Sequence, residues 1–372
     1  MKARTTMIVL SVFVALAMIL SACAPAAPAV QTEAPAPAPA ETEAPAPAPA
    51  ETEAPAPEAT EPPAPEATQP PAPAGDIKIG FLAGVQDPFY FTMQRGAAQA
   101  AADLGAELVV QIPDNWNATV QTPMLDAMVA RGYLDFLFLA PVDKEAMVAP
   151  LQKAFDSGLP LLTNDTFIGD GDYVNGPVTF PLSYIGSNNV QGGEIACHAL
   201  AAAIGETGKV YIQNVTPGIS TTDQREEGCK NALADYPDIE LIGVDYNGDD
   251  PAVAQSQTEA TLQRVPDLAG IFGTNVYSAQ GAGTVVQNQG LGEQVSVVAF
   301  DATETAIEQL RAGVVDLVIA QKPADMGYMA VLMANAYLNG VVSIPPRIPT
   351  GYQVITADNV DDPEVAQFIY TK

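Results

Sequence analysis

Five short stretches of this sequence place polar side chains where an apolar run stops: Gln86-Asp87-Pro88-Phe89-Tyr90, Asn164-Asp165-Thr166, Asn275, Phe300-Asp301 and Gln321. Carboxylates and amides at such positions accept or donate paired hydrogen bonds, which suits a hydroxyl-rich small molecule. The rings of Phe89 and Tyr90 can lie against the apolar C–H face of a pyranose or furanose. Competing structural roles exist for several of them. Asp87 ahead of Pro88 is also a helix start, with the carboxylate capping free N–H groups and proline in the first turn. Phe89 or Tyr90 can be a core residue of that helix, and Gln321 can bond nearby backbone.

Other chemistries find little support. One histidine in 372 residues, His198, leaves little room for a zinc enzyme or a Ser-His-Asp hydrolase, and it falls on an amphipathic helix. Asp170, Asp172 and Asn175 lack the spacing of a calcium loop and read as a turn. Gly205-Glu206-Thr207-Gly208-Lys209 has the wrong spacing for a phosphate loop and leads into a strand. No metal and no cofactor are expected. Trp116, in a polar loop, reads as a surface cap over the core, with stacking at the rim of a site the alternative.

The elements that position these residues alternate. Apolar runs at 77–83, 107–112, 136–140 and 160–163 read as buried strands, with helices at 89–104, 119–131 and 144–157. After a strand at 184–187 the rhythm restarts: helix 190–204, strand 210–215, helix 222–236, strand 241–246, helix 252–264. Strand 270–274, helix 277–289, strand 295–300 and helix 304–312 follow. Such alternation implies parallel sheets covered on both faces, and in those sheets a ligand sits beyond the carboxyl ends of the strands. The fold class is α/β, in two Rossmann-like lobes.

The N-terminal quarter is different. Lys2 and Arg4 precede an apolar run at 7–20, too short for the roughly 20 residues of a bilayer span and right for a signal peptide. Leu20-Ser21-Ala22-Cys23 looks like a bacterial lipobox, giving a signal peptide over 1–22 and lipidation at Cys23; an uncleaved membrane anchor is the other reading. Residues 24–75 hold 16 prolines and eight glutamates in near-repeats, with no basic residue, and read as an extended stalk (23–75 with the lipidated cysteine). From residue 76 onward there are 36 acidic and 13 basic side chains, so nucleic-acid binding is not expected. With Cys23 lipidated, Cys197 and Cys229 remain on helices flanking the strand at 210–215. In an oxidising compartment a disulfide is plausible and two buried thiols the alternative.

In order and spacing these segments resemble a periplasmic binding protein of the ribose/galactose type, from residue 77 to about 350. The resemblance is carried by Asp87-Pro88-Phe89-Tyr90-Phe91, Ala140-Pro141-Val142-Asp143, Ile185-Gly186-Ser187-Asn188-Asn189 with Gly192-Gly193, and Arg225-Glu226-Glu227-Gly228. Phe272-Gly273-Thr274-Asn275, Val298-Ala299-Phe300-Asp301 and Ile319-Ala320-Gln321 complete it. It implies two lobes joined by a three-segment hinge near Ser187, Gln321 and Thr350, with lobes at 76–187 plus 322–350 and 188–321 plus 351–372. It also implies ligand contacts at Asp87, Phe89, Tyr90, Asp165, Asn275, Asp301 and Gln321. The arginine that follows the fourth-strand aspartate in ribose binders is Thr166 here, and a second ligand arginine aligns with Asp223, two residues before Arg225. Both bidentate donors are then lost, and four acids, Asp87, Asp165, Asp223 and Asp301, favour a sugar other than ribose, a polyol or an amino-bearing compound. The implied function is the monomeric, lipid-anchored, extracytoplasmic receptor of a carbohydrate ABC importer, docking on its permease and doing no chemistry. A signal receptor of the same fold, reading an autoinducer-like sugar, is the first alternative; a hydrolase using Asp165 and Asp301 is a weaker one.

Overall fold

A computed structural model describes residues 77–371, so the signal peptide, Cys23 and the stalk expected at 1–75 lie outside the described residues. Two six-stranded sheets organise the rest. The first is built from β1 (Lys78–Leu82), β2 (Glu107–Gln111), β3 (Phe136–Leu139), β4 (Leu161–Asn164), β5 (Tyr184–Ser187) and, much later, β11 (Arg347–Thr350). The second holds β6 (Gly208–Asn214), β7 (Ile239–Tyr246), β8 (Leu268–Gly273), β9 (Ser296–Phe300), β10 (Leu317–Ala320) and β12 (Gln353–Ile355). Their orders correspond: β11-β5-β4-β3-β1-β2 and β12-β10-β9-β8-β6-β7. All pairings are parallel except β10 with β12.

The central strands are mostly apolar because helices cover both faces, with polar residues gathered toward the carboxyl ends of β4 and β6. In the first lobe these are α1 (Pro88–Leu104), α2 (Ala118–Ala130), α3 (Val148–Asp156) and the returning α9 (Pro323–Leu338). In the second they are α4 (Asn189–Ala203), α5 (Ser220–Leu233), α6 (Pro251–Arg264), α7 (Val276–Gln289) and α8 (Glu304–Arg311), with a short α10 (Pro363–Ala366) near the end. The first helix starts where Asp87 accepts from the Tyr90 N–H and Pro88 occupies the first turn; it stops at Gly105, whose φ of 68° only glycine adopts at little cost. The helix expected from 144 begins at Val148 instead. Asp143 accepts from the N–H groups of Glu145 and Ala146, which ties those residues into a turn first. No helix separates β4 from β5. The loop between them is held by buried Phe167, Ile168, Tyr173 and Val178.

Each lobe contains one very close helix crossing. In the first, a Cβ on Gly96 would collide with the Ala324 carbonyl and one on Gly327 with that of Met93; in the second, Gly193 meets the Arg225 carbonyl and Gly228 that of Val190. A disulfide joins Cys197 on α4 to Cys229 on α5, with Cα atoms 5.0 Å apart, in the second of these crossings.

The chain passes between the lobes three times: after β5, after β10 and between β11 and β12. The crossings touch. Ser187 Oγ donates to Gln321 Oε1 at 2.8 Å and lies 3.3 Å from Thr350 Oγ1.

Candidate functional site

Beyond the carboxyl ends of both sheets lies a narrow cavity of about 30 Å³, well below the roughly 300–1,000 Å³ usual for small-molecule sites, so the lobes must part to admit a guest. Asp87, Phe89, Tyr90, Trp116 and Asp165 line it from the first lobe. Val215, Ile219, Thr221, Thr222, Arg225, Asn275 and Asp301 line it from the second, and Gln321 from the second crossing. Seven of the nine residues singled out in the sequence are thus brought together. Thr166 and Asp223 are not among the lining residues. Thr166 is buried with its hydroxyl on the Pro141 carbonyl at 2.8 Å. Asp223 sits at the outer lip, bonded to Lys144 of the other lobe at 2.7 Å.

The expected loss of both arginines is corrected by Arg225. Two residues apart on a helix are roughly 200° apart around its axis, so Asp223 on α5 turns to the lip while Arg225 turns to the cavity. Its position is fixed from several sides: Nε donates to Asn189 Oδ1 and Nη1 to the Thr274 carbonyl, both at 2.9 Å. The guanidinium carbon stacks 3.9 Å from the Phe300 ring centre, and Nη1 lies 3.6 Å from Asp301 Oδ2. One arginine is therefore present and already oriented.

Trp116 packs half-buried against the core, as a cap would, and also lines the cavity. Its ring lies 5.9 Å from that of Tyr90, and Gly84 gives both rings room: a Cβ there would strike each of them. A fourth acid, Asp249, takes the place foreseen for Asp223. It is not itself a lining residue, but Asn275 Nδ2 donates to Asp249 Oδ1 at 2.6 Å, so it stands directly behind the cavity wall. Asn275 also caps α7 through the Ser278 N–H. Asp87 likewise caps α1 and lines the cavity, so the structural and site roles coexist.

Of the four non-glycine residues with positive φ among the described residues, three are site acids: Asp165 (63°), Asp249 (66°) and Asp301 (77°). Aspartate tolerates this region better than most residues, yet it still costs energy, and such costs concentrate at functional sites. Burial then raises their affinity for protons. Desolvation lifts Asp165 to about 6 against the pull of Arg225 and the Tyr90 hydroxyl, which donates to it at 2.6 Å. Desolvation lifts Asp249 to about 7 despite bonds from Asn275 and Trp116. Asp87 and Asp301 are raised by the same cause. Three buried carboxyl groups, with the half-buried Asp249 behind them, face one guanidinium, an arrangement that favours a guest bringing hydroxyl donors. The Thr222 hydroxyl, 3% exposed at the cavity wall, has no partner within the protein.

The remaining sequence candidates are structural in placement. His198 contacts the Tyr236 hydroxyl on the surface. Asp170 and Asp172 accept backbone N–H groups in a turn.

Residues 79–341 match the family described as periplasmic binding protein domain. This chain belongs to that family. Among its relatives is the ribose import binding protein of Haemophilus influenzae, 27% identical over 272 residues, which are 73% of this chain and 88% of that one. An ABC transporter solute-binding protein from Agrobacterium vitis, solved with bound alpha-D-tagatopyranose, is 47% identical with a TM-score of 0.78 over 80% of this chain and 100% of its own. Another from Burkholderia graminis, in complex with D-arabinose, is 27% identical with a TM-score of 0.72 over 78% and 98% of the two chains. The two-lobed α/β body is that of a type I periplasmic sugar-binding protein.

Proposed function

We propose that this protein is the extracytoplasmic solute receptor of an ABC importer and takes one monosaccharide, in its pyranose form, into the cavity between the lobes. The observation that carries this is the donor–acceptor set of that cavity: buried aspartates and a stacked arginine opposite Phe89, Tyr90 and Trp116. Asp87, Asp165 and Asp301 would accept sugar hydroxyls, Asn275 and Gln321 would exchange amide hydrogen bonds, and Arg225 would donate to ring or hydroxyl oxygen. The aromatic rings would take the C–H faces. The tagatose-bound relative at 47% identity supports a ketohexose or a close stereoisomer over ribose. No catalytic step is assigned to the aspartates, since binding alone uses every group described.

Ligand capture would close the lobes about the three touching crossings, because bonds made from both sides exist only in the shut form. Export, cleavage before Cys23, lipidation of that residue and a stalk over 24–75 would hold the monomeric receptor near its permease. The test is a thermal-shift screen of monosaccharides and polyols that includes D-tagatose, D-arabinose and D-ribose. A ligand at 100 times its dissociation constant stabilises by about 2.7 kcal/mol, a readily measured shift. No response to any sugar would sink the proposal.

A further inference from the structure

The segment following β12 lies beyond the stretch that matches the family, 79–341, yet it reaches the back of the cavity. Tyr370, 1% exposed, is laid beside the loop that follows β9: its N–H donates to the Ala302 carbonyl at 2.7 Å, and it forms a parallel bridge with Thr303. Its hydroxyl accepts the Gln321 backbone N–H at 2.7 Å and donates to Asp301 Oδ1 at 3.2 Å. Its ring meets Phe89 edge-on, with centroids 5.7 Å apart. The neighbouring Thr371 is held by Arg95 of α1, through its carbonyl at 2.7 Å. One side chain that does not line the cavity therefore touches three that do, from the first lobe, the second lobe and the crossing between them.

We infer that Tyr370 is a positioning residue of the ligand site, acting through Asp301, Gln321 and Phe89. The inference rests on the reading of the cavity as a sugar site. Asp301 has a strained backbone and a buried carboxyl, so its orientation depends on the donors it finds. Gln321 Nε2 supplies one to Oδ1 at 2.8 Å, and the tyrosine hydroxyl supplies the second. Together they occupy Oδ1 and leave Oδ2 beside Arg225. Without the hydroxyl, Asp301 holds its proton to higher pH, and the Gln321 N–H at the start of the crossing is left unpaired in a buried place. Both changes reach the guest through residues that line the cavity.

Tyr370→Phe keeps the ring against Phe89 and removes only the hydroxyl. Calorimetric titration of D-tagatose, D-arabinose, D-ribose and D-allose into the wild-type and variant proteins, across a range of pH, is the experiment. The variant should bind roughly tenfold more weakly at neutral pH, the loss expected for one hydrogen bond to a charged group. Its binding-versus-pH curve should move upward, because Asp301 loses a donor that favours its ionised form. Tyr328→Phe, which loses a surface bond to Asp103, should change neither. An unchanged affinity in Tyr370→Phe, or an equal loss at every pH with no shift of the curve, overturns the inference. Wild-type protein that binds none of the four sugars overturns the function reading and this inference with it.

Discussion

Asp165 and Asp301 are counterparts in the two sheets: each follows the strand beside a crossing strand, and each donates its N–H at 2.8 Å to an isoleucine carbonyl there, Ile185 in one case and Ile319 in the other. Each adopts positive φ, and each is two residues in register from a side chain of the crossing, Ser187 or Gln321. The cavity is therefore bounded by the same backbone device used twice, facing itself. The environments then diverge, because Tyr90 donates to the first while Arg225, Gln321 and Tyr370 surround the second.

This pairing predicts proton release on binding. Sugar hydroxyls donate best to ionised carboxylates, so a bound guest lowers the proton affinity of Asp165, which lines the cavity and stands at about 6 before binding. Affinity should rise from about pH 5 and level off above about pH 7.5. Calorimetry near pH 6 in two buffers of unlike ionisation enthalpy should report protons released per sugar. Equal enthalpies in both buffers would contradict the coupling.

Asp165 and Asp249 together predict an unusual pH dependence of the ligand-free protein. Their folded-state pKa values lie above the ordinary aspartate value of 3.8, so between that value and about 7 the folded state holds protons that the unfolded state has lost. Stability from these groups is thus fully present below the unfolded value and declines as pH rises through 4 to 7. The melting temperature without sugar should be higher near about pH 5 than near about pH 8, and Asp165→Asn should flatten that slope. Asparagine is the suitable replacement because it tolerates the same left-handed backbone.

Much of this site was legible in the sequence because the mostly apolar runs of β4, β8, β9 and β10 give way to polar residues at or just past their ends, and in parallel sheets strand ends face the ligand. Asp249 was not, since it lies three residues past β7 in a turn with no apolar run to point at it. Its only signal was the Asn-Gly-Asp-Asp cluster of 247–250, which also reads as plain turn chemistry. Trp116 was only half legible for a similar reason, in a polar loop whose approach to Tyr90 depends on the missing side chain of Gly84. Arg225 stands two positions from the aligned site, a shift that is small in sequence and just over half a turn on a helix. The last long helix, α9, is apolar on most of its surface (PADMGYMAVLMANAYL), so it shows no amphipathic stripe to mark it.

Arg225 should prove the least replaceable residue of the cavity. A lysine preserves charge but cannot lie flat on Phe300 while also reaching Asn189 and Thr274. Arg225→Lys should weaken sugar binding by about 100-fold or more, because a fixed planar donor becomes a mobile point charge. Arg225→Met should go further and move the pH profile upward, since the buried acids lose their only nearby cation among the lining residues. Titration calorimetry at two pH values distinguishes the variants, and near-wild-type affinity for Arg225→Lys would remove the arginine from the binding set.

Lys144 and Asp223 should govern how long the guest stays rather than how it is recognised. Their ion pair spans the two lobes at the lip, next to a backbone bond from the Lys144 N–H to the Gly218 carbonyl at 3.0 Å and one from the Phe167 N–H to Ser220 Oγ at 3.0 Å. The side chains are 34% and 25% exposed, so water screens the pair and its worth is limited to about 1 kcal/mol. Lys144→Ala leaves the backbone bond in place and should speed sugar release by about two- to fivefold, with little change in the association rate. Added salt should accelerate release from the wild type and leave the variant nearly unaffected, because only the former has a screened pair to lose. Stopped-flow release measured at low and high salt reads both effects. A variant that instead loses association rate alone would place Lys144 on the entry path of the sugar and not in a clasp.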